Sequence, residues 1–126
     1  MEAPVRVLLV EDNEVYRDSL AFLLRRREGI EVVGAVGEGA VAAEAAERLA
    51  ADVVVVDYRL PDLDGAQAAA EVERRRPAAA VVFLSASAGE EERDAARRLG
   101  ARLVRKDEGV ETLVEAVLAA AGRGRR

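Results

Sequence analysis

Cysteine and histidine are both absent from the chain, and each absence closes off chemistry. Without cysteine there are no thiol nucleophiles, disulfides, zinc ribbons or iron–sulfur clusters. Without histidine there are no Ser–His triads, and most zinc chemistry loses its usual ligand. A bound metal must then be a hard ion held by oxygen, such as Mg²⁺ or Ca²⁺. No apolar run reaches membrane-spanning length, and Met1-Glu2-Ala3-Pro4 carries no signal-peptide pattern. A cytoplasmic protein with no membrane partner is expected. The net charge of −5 argues against nucleic-acid binding by this segment itself, because phosphate binding needs a basic face.

What is present fits one globular domain. The 126 residues are 51% apolar and 34% charged, too apolar for disorder and enough to enclose a core. Strand-like apolar runs alternate with helix-like segments along the whole length. The strands are expected at Val5 to Val10, Ile30 to Val36, Val53 to Val56, Ala80 to Leu84 and Ala101 to Val104. The first helix is expected over Glu14 to Arg27, with Val15, Leu20, Leu23 and Leu24 on one stripe, Asp12 or Asn13 as N-cap and Gly29 as stop. The second, Ala40 to Ala50, places Val41, Ala45 and Leu49 on one face, and the third runs from Ala66 to Arg75 before Pro77. Ser87-Ala88-Gly89-Glu90 fits a capping box opening the fourth, which ends at Leu99 before Gly100. The fifth, Val110 to Ala121, repeats apolar residues at Val110, Leu113, Val114, Val117 and Leu118. Strict β–α alternation implies a parallel sheet with helices on both faces, joined by right-handed crossovers.

In such a sheet every strand ends on the same edge, and ligands bind in the crevice outside those ends. Just past the strands lie Glu11 and Asp12, then Asp57, Ser85 and Lys106. The four valines before Asp57 read as a strand buried on both faces, and Pro61 and Gly65 shape the loop after it. Asp57 taken alone serves equally well as a cap for the next helix; the company it keeps decides otherwise. Clustered carboxylates repel and raise one another's pKa unless a shared cation relieves them, and Mg²⁺ with few protein carboxylates suits that need. Every other basic side chain here is arginine, yet the single lysine, Lys106, falls at this edge. An ammonium is a compact point charge that sits against one anionic oxygen, which a guanidinium fork does less well. Metal site, carboxylate nucleophile, hydroxyl donor and lysine are the parts of a phosphoryl-transfer centre. Lacking histidine, the chain is no histidine phosphodonor, so a phosphohistidine would belong to a partner.

The set Glu11-Asp12, Asp57 with Pro61 and Gly65, Ser85-Ala86 and Lys106 resembles the receiver domain of two-component response regulators, in its NarL/FixJ (LuxR-type) subclass. The resemblance implies a (βα)5 flavodoxin-like fold with strand order 2-1-3-4-5. It further implies that Asp57 is the phosphoacceptor, that Glu11, Asp12, Asp57 and the backbone carbonyl of Arg59 surround Mg²⁺, and that Ser85 and Lys106 contact the phosphoryl oxygens. The family response to phosphorylation repacks the face built from the fourth helix, fifth strand and fifth helix, and it varies the positions of Arg59 and Ser87 to set phosphoryl lifetime. Two departures stand out. Asp107 follows the lysine where many receivers have proline, as in the NarL/FixJ type. Leu103 stands where the family places its switch aromatic.

The domain expected is a receiver over residues 1–121, with the Gly/Arg tail 122–126 beginning a linker to an output domain outside this sequence. The implied partners are a sensor histidine kinase, a second copy on phosphorylation, and DNA only through a C-terminal helix-turn-helix beyond this chain. The domain is read as a signalling phosphoacceptor rather than an enzyme. Alternatives are a stand-alone receiver, a docking-only pseudo-receiver, or an aspartyl-phosphate phosphohydrolase of the haloacid-dehalogenase kind. The last places its nucleophile after the first strand with a second Asp two residues on, where this chain has Arg59.

Overall fold

A computed structural model describes residues 3–122. The tail residues 123–126 lie outside the described residues. Strands β1 (Val5–Val10), β2 (Ile30–Val36), β3 (Val53–Asp57), β4 (Ala80–Ser85) and β5 (Arg102–Arg105) alternate with helices α1 (Glu14–Arg25), α2 (Ala42–Arg48), α3 (Gly65–Arg75), α4 (Glu90–Leu99) and α5 (Val110–Ala120). All neighbouring strand pairs are parallel, in the order β2-β1-β3-β4-β5. This is the flavodoxin-like doubly wound sheet expected.

Valine and leucine fill both sides of the central strands, so the core divides into two layers. Leu8, Val10, Val54, Val56 and Phe83 pack under the alanine-rich faces of α2, α3 and α4. Val5, Val7, Leu9, Val53, Val55, Val82 and Leu84 pack against Leu20, Ala21 and Leu24 of α1 and Leu113, Val114 and Val117 of α5. Each fully buried Val or Leu contributes on the order of 1.5–3 kcal/mol over its exposed state. Small alanines at positions 42, 45, 46, 68, 69, 95 and 96 let three helix axes approach the sheet closely.

The structure corrects several local expectations. The buried stripe of α1 is Leu20, Ala21 and Leu24, while Val15 is 77% exposed and Leu23 43%. Residues 20, 21 and 24 share one arc of a 3.6-residue turn, and Val15 falls outside it. Asn13 is the N-cap, its side chain accepting the Tyr16 N–H at 2.9 Å. Helix α1 ends at Arg25, ahead of Gly29, which turns the chain into β2 at φ +87°. A 3₁₀ turn, Gly39–Val41, precedes α2, and Asp62 accepts the Gly39 and Ala40 N–H groups at 3.0 and 2.9 Å. Those carboxylate bonds hold Asp62 below the usual aspartate range, the Ala40 amide foremost. Val41 is partly exposed, so only Ala45 of the expected α2 face is fully covered.

The capping box expected at Ser87 is not formed. Gly89 is the N-cap of α4 and has no side-chain cap bond. The Ser87 hydroxyl instead donates to Glu92 Oε2 at 3.0 Å, a charge-assisted bond that turns it towards the buried carboxylate. A true capping box occurs at α3, where Asp64 and Gln67 exchange bonds at 2.8 and 3.2 Å. Helix α4 stops at Gly100, which takes a left-handed φ of +63°.

Candidate functional site

Parallel register brings the strand ends to one rim: Val10 pairs with Val56, Asp57 with Leu84, and Ser85 with Arg105. The residue after each end therefore opens into the same crevice. Glu11 follows β1, is buried, and accepts the Asn13 N–H on Oε2 at 3.0 Å. Its backbone carbonyl accepts from Arg17 Nη1 at 2.9 Å, which fixes the β1–α1 turn. Asp12 beside it is exposed. Asp57 closes β3 and is also buried, with the Arg59 N–H donating to Oδ1 at 3.0 Å. It caps no helix, since α3 begins eight residues later with Asp64 as its cap.

Lys106 opens a 3₁₀ turn, Lys106–Glu108, between β5 and α5. Its Nζ donates to Glu11 Oε1 at 3.0 Å and to Asp57 Oδ2 at 3.1 Å. It also stands 4.6 Å from the centre of the Tyr16 ring, close enough for a cation–π attraction. One ammonium thus bridges two buried carboxylates from different strands. Burial opposes its charge, but the bonds and fields of Glu11 and Asp57 outweigh that, and its pKa is raised. Burial above all raises the Glu11 carboxyl and Asp57 adds to the rise, while the Asn13 amide and Lys106 oppose it. Burial likewise pushes the Tyr16 phenol up, Lys106 pulling the other way.

Ser85 ends β4 one residue past the partner of Asp57, is 1% exposed, and accepts the Ser87 N–H on Oγ at 3.4 Å. All the candidate side chains therefore emerge on one rim, and Glu11, Asp57 and Lys106 are in direct contact. Glu11, Asp12 and Asp57 each offer one carboxylate oxygen, and those three atoms lie within 4.8 Å of one another. An all-oxygen set with no nitrogen or sulfur donor suits a hard cation such as Mg²⁺. The main chain of Arg59 is fixed beside them by its bond to Asp57.

Gly65 explains why the loop after β3 closes so tightly. A Cβ there would lie 2.6 Å from the Asp57 carbonyl oxygen and 2.6 Å from Tyr58 Cα, both backbone atoms unable to swing away. The Gly65 N–H donates to the Tyr58 carbonyl at 2.8 Å. Gly65→Ala is expected to lower unfolding stability by about 1–3 kcal/mol, the usual cost of overpacking a filled site. Urea denaturation measures this, and an unchanged midpoint would contradict the close approach.

Two features went unread in the sequence. Tyr16 signals nothing by spacing, since its partner Lys106 is ninety residues away. Glu92 sits among three consecutive glutamates, Glu90 to Glu92, yet it alone is buried.

Five parallel strands wound this way, with an acidic trio and a lysine at their carboxyl ends, define a receiver-type signalling domain. Residues 7–118 match the response regulator receiver domain family, and the chain belongs to it. Among solved structures it is similar to the signal receiver domain of the response regulator NarL from Mycobacterium tuberculosis, with 33% identity and a TM-score of 0.88 over 98% of this chain and 100% of that one. A two-component response regulator of the LuxR family from Aurantimonas sp. matches at 28% identity and a TM-score of 0.88, over 98% of this chain and 89% of that one. Among curated proteins, the transcriptional regulatory protein PdtaR of Mycobacterium tuberculosis is 43% identical over 84 residues, 67% of this chain and 40% of that protein. A protein-glutamate methylesterase/protein-glutamine glutaminase of Alkalilimnicola ehrlichii is 38% identical over 81 residues, 64% of this chain but 21% of that protein. The chain thus spans well under half the length of these curated relatives. Among the described residues, no helix is long and apolar enough to cross a membrane.

Proposed function

We propose that this receiver domain accepts a phosphoryl group on Asp57 from the phosphohistidine of a partner histidine kinase, or from acetyl phosphate, with Mg²⁺ bound. The observation that carries this is the Lys106 ammonium held 3.0 and 3.1 Å from Glu11 and Asp57 at the carboxyl end of the sheet. The attacking group is a carboxylate oxygen, so the transfer needs no general base. An Asp57 oxygen attacks phosphorus in line. The new O–P bond forms as the P–N bond to the kinase imidazole breaks, and the electron pair leaves on that nitrogen, which takes a proton from solvent. With acetyl phosphate the P–O bond breaks and acetate departs. Lys106 moves from the Asp57 oxygen to a phosphoryl oxygen, and the Ser85 hydroxyl donates to another. Glu11, Asp12, Asp57 and the Arg59 carbonyl would hold Mg²⁺, which would supply positive charge to offset the carboxylates and the incoming phosphoryl group.

The product adds about −1.5 to −2 charge at the rim. That charge draws Ser85 inward and repacks the face of α4, β5 and α5. Leu103 of β5 is half-buried against the α4 side of the core, so a leucine rather than an aromatic ring registers that change. The subclass proposed is NarL/FixJ, working in the cytoplasm as receiver residues 1–121 followed by a linker from residue 122. Output is transcription through a C-terminal helix-turn-helix, with a homodimer forming on phosphorylation. Beryllofluoride, which mimics the phosphoryl group, tests the site directly. Amide NMR shifts at Ser85 and Lys106 are expected only when Mg²⁺ is also present, and none in Asp57→Asn. Shifts without Mg²⁺, or equal shifts in the variant, would overturn the reading.

A further inference from the structure

Among the described residues, Glu92 is the one buried carboxylate that the phosphoryl chemistry does not use. It lies in the first turn of α4 and is 3% exposed, whereas Glu90 and Glu91 face solvent. Its Oε2 accepts from the Ser87 hydroxyl at 3.0 Å and from the Arg59 guanidinium at 3.4 Å. Gly89 leaves the room it occupies, since a Cβ there would come 2.9 Å from Glu92 Oε1. Backbone N–H groups at the helix start, its own first, and the Ser87 hydroxyl hold its pKa low, so it is ionised at neutral pH.

Both partners of Glu92 lead back to the rim within two residues. The Arg59 N–H donates to Asp57 Oδ1, and the Ser87 N–H donates to Ser85 Oγ. Glu92 therefore ties together the loop carrying the acceptor and the loop carrying the hydroxyl. The Arg59 side chain is 66% exposed, so it has room to swing while its N–H bond to Asp57 keeps the backbone in place, at the loss of its contact with the Tyr58 ring, 5.5 Å away. A phosphoryl group on Asp57, two residues away, offers that guanidinium nearly twice the negative charge of Glu92 and a matching fork geometry.

We propose that Glu92 is a positioning residue that holds the Arg59 guanidinium away from Asp57 until phosphorylation, whereupon Arg59 exchanges Glu92 for the phosphoryl oxygens and removes one tether from the start of α4. The inference rests on Asp57 being the phosphoacceptor. It gives Arg59 a second, side-chain role beside its carbonyl, and it leaves the Ser87–Glu92 and Tyr58–Glu91 bonds to hold the start of α4 in the phosphorylated state. A purely structural Glu92, capping the helix, would be indifferent to the Arg59 side chain.

A double-mutant cycle with acetyl phosphate and Mg²⁺, read by intact mass over time, separates these roles. Glu92→Gln keeps an oxygen for Ser87 but loses the charge that retains Arg59. It is expected to raise the phosphorylation rate roughly two- to fivefold, the range of a partly exposed ion pair. Arg59→Met is expected to shorten the phosphoryl lifetime, and adding Glu92→Gln to it to change the phosphorylation rate no further. An equal effect of Glu92→Gln in both backgrounds, or none in either, would overturn the inference while leaving Asp57 as acceptor. Absence of any phosphoryl gain in the wild-type chain would overturn both.

Discussion

Lys106→Met is expected to slow phosphorylation of Asp57 by acetyl phosphate about a hundredfold, the usual scale for removing one preorganised donor from a developing anion. Methionine is an unbranched side chain one heavy atom shorter than lysine, and Lys106 is about a quarter exposed, so the packing change is small. The electrostatic change is large, because Glu11 and Asp57 lose the ammonium that bridges them at 3.0 and 3.1 Å. Two carboxylates left facing each other should bind a divalent cation more tightly, since the lysine no longer competes for their oxygens. The variant should therefore bind Mg²⁺ more strongly yet transfer phosphoryl more slowly. Calorimetric Mg²⁺ titration and mass-resolved phosphorylation rates measure the two effects side by side. Lys106→Arg keeps the charge but presents a broad planar fork, and is expected to recover only part of the rate. A wild-type rate in Lys106→Met would show that the lysine only neutralises charge in the resting protein.

Phe83→Ala should be the most damaging single change to stability, lowering it by about 3–5 kcal/mol. Phe83 is the largest fully buried side chain, at the centre of β4 under α2, α3 and α4. Its neighbours there are mostly alanines and valines, too short to refill the space a ring leaves. The ring also meets Tyr58 edge-on, with centroids 5.6 Å apart and planes at 77°. Tyr58 follows Asp57 directly, and its hydroxyl donates to Glu91 of α4 at 3.1 Å. The loss is thus a large share of the roughly 5–15 kcal/mol that holds a domain of this size together. Val15→Ala, at a residue 77% exposed, serves as the contrasting case and is expected within about 0.5 kcal/mol of wild type. Urea denaturation of both variants checks the pair, and similar midpoints would contradict the placement of the core.

Strands were the most legible part of the chain, for a physical reason. A sheet covered on both faces needs unbroken apolar β-branched runs, and Val53 to Val56 is such a run. The rim was legible because strict β–α alternation forces every strand to end on one edge, so Glu11, Asp57, Ser85 and Lys106 needed only their place after a strand. The strand order was supplied by the family resemblance, since periodicity says nothing about which neighbour a strand chooses. Helix ends were less legible. Ser87 has the right spacing for a cap, but the spacing cannot reveal that a buried carboxylate five residues on would claim its hydroxyl. Val15 and Leu23 look like core residues until the rotation of α1 about its axis is known, and that rotation is set by packing against β1, β2 and α5. Tyr16 and Glu92 acquire meaning only through partners that the fold brings from other elements.

The most direct test of the phosphoacceptor claim is the intact mass of the chain after incubation with acetyl phosphate and Mg²⁺, beside Asp57→Asn and beside a sample containing a chelator. The wild-type chain should gain one phosphoryl group with Mg²⁺ and none with the chelator, and the variant should gain none. A gain of the same size in Asp57→Asn, or no gain in the wild type, would contradict the assignment of Asp57 as the acceptor.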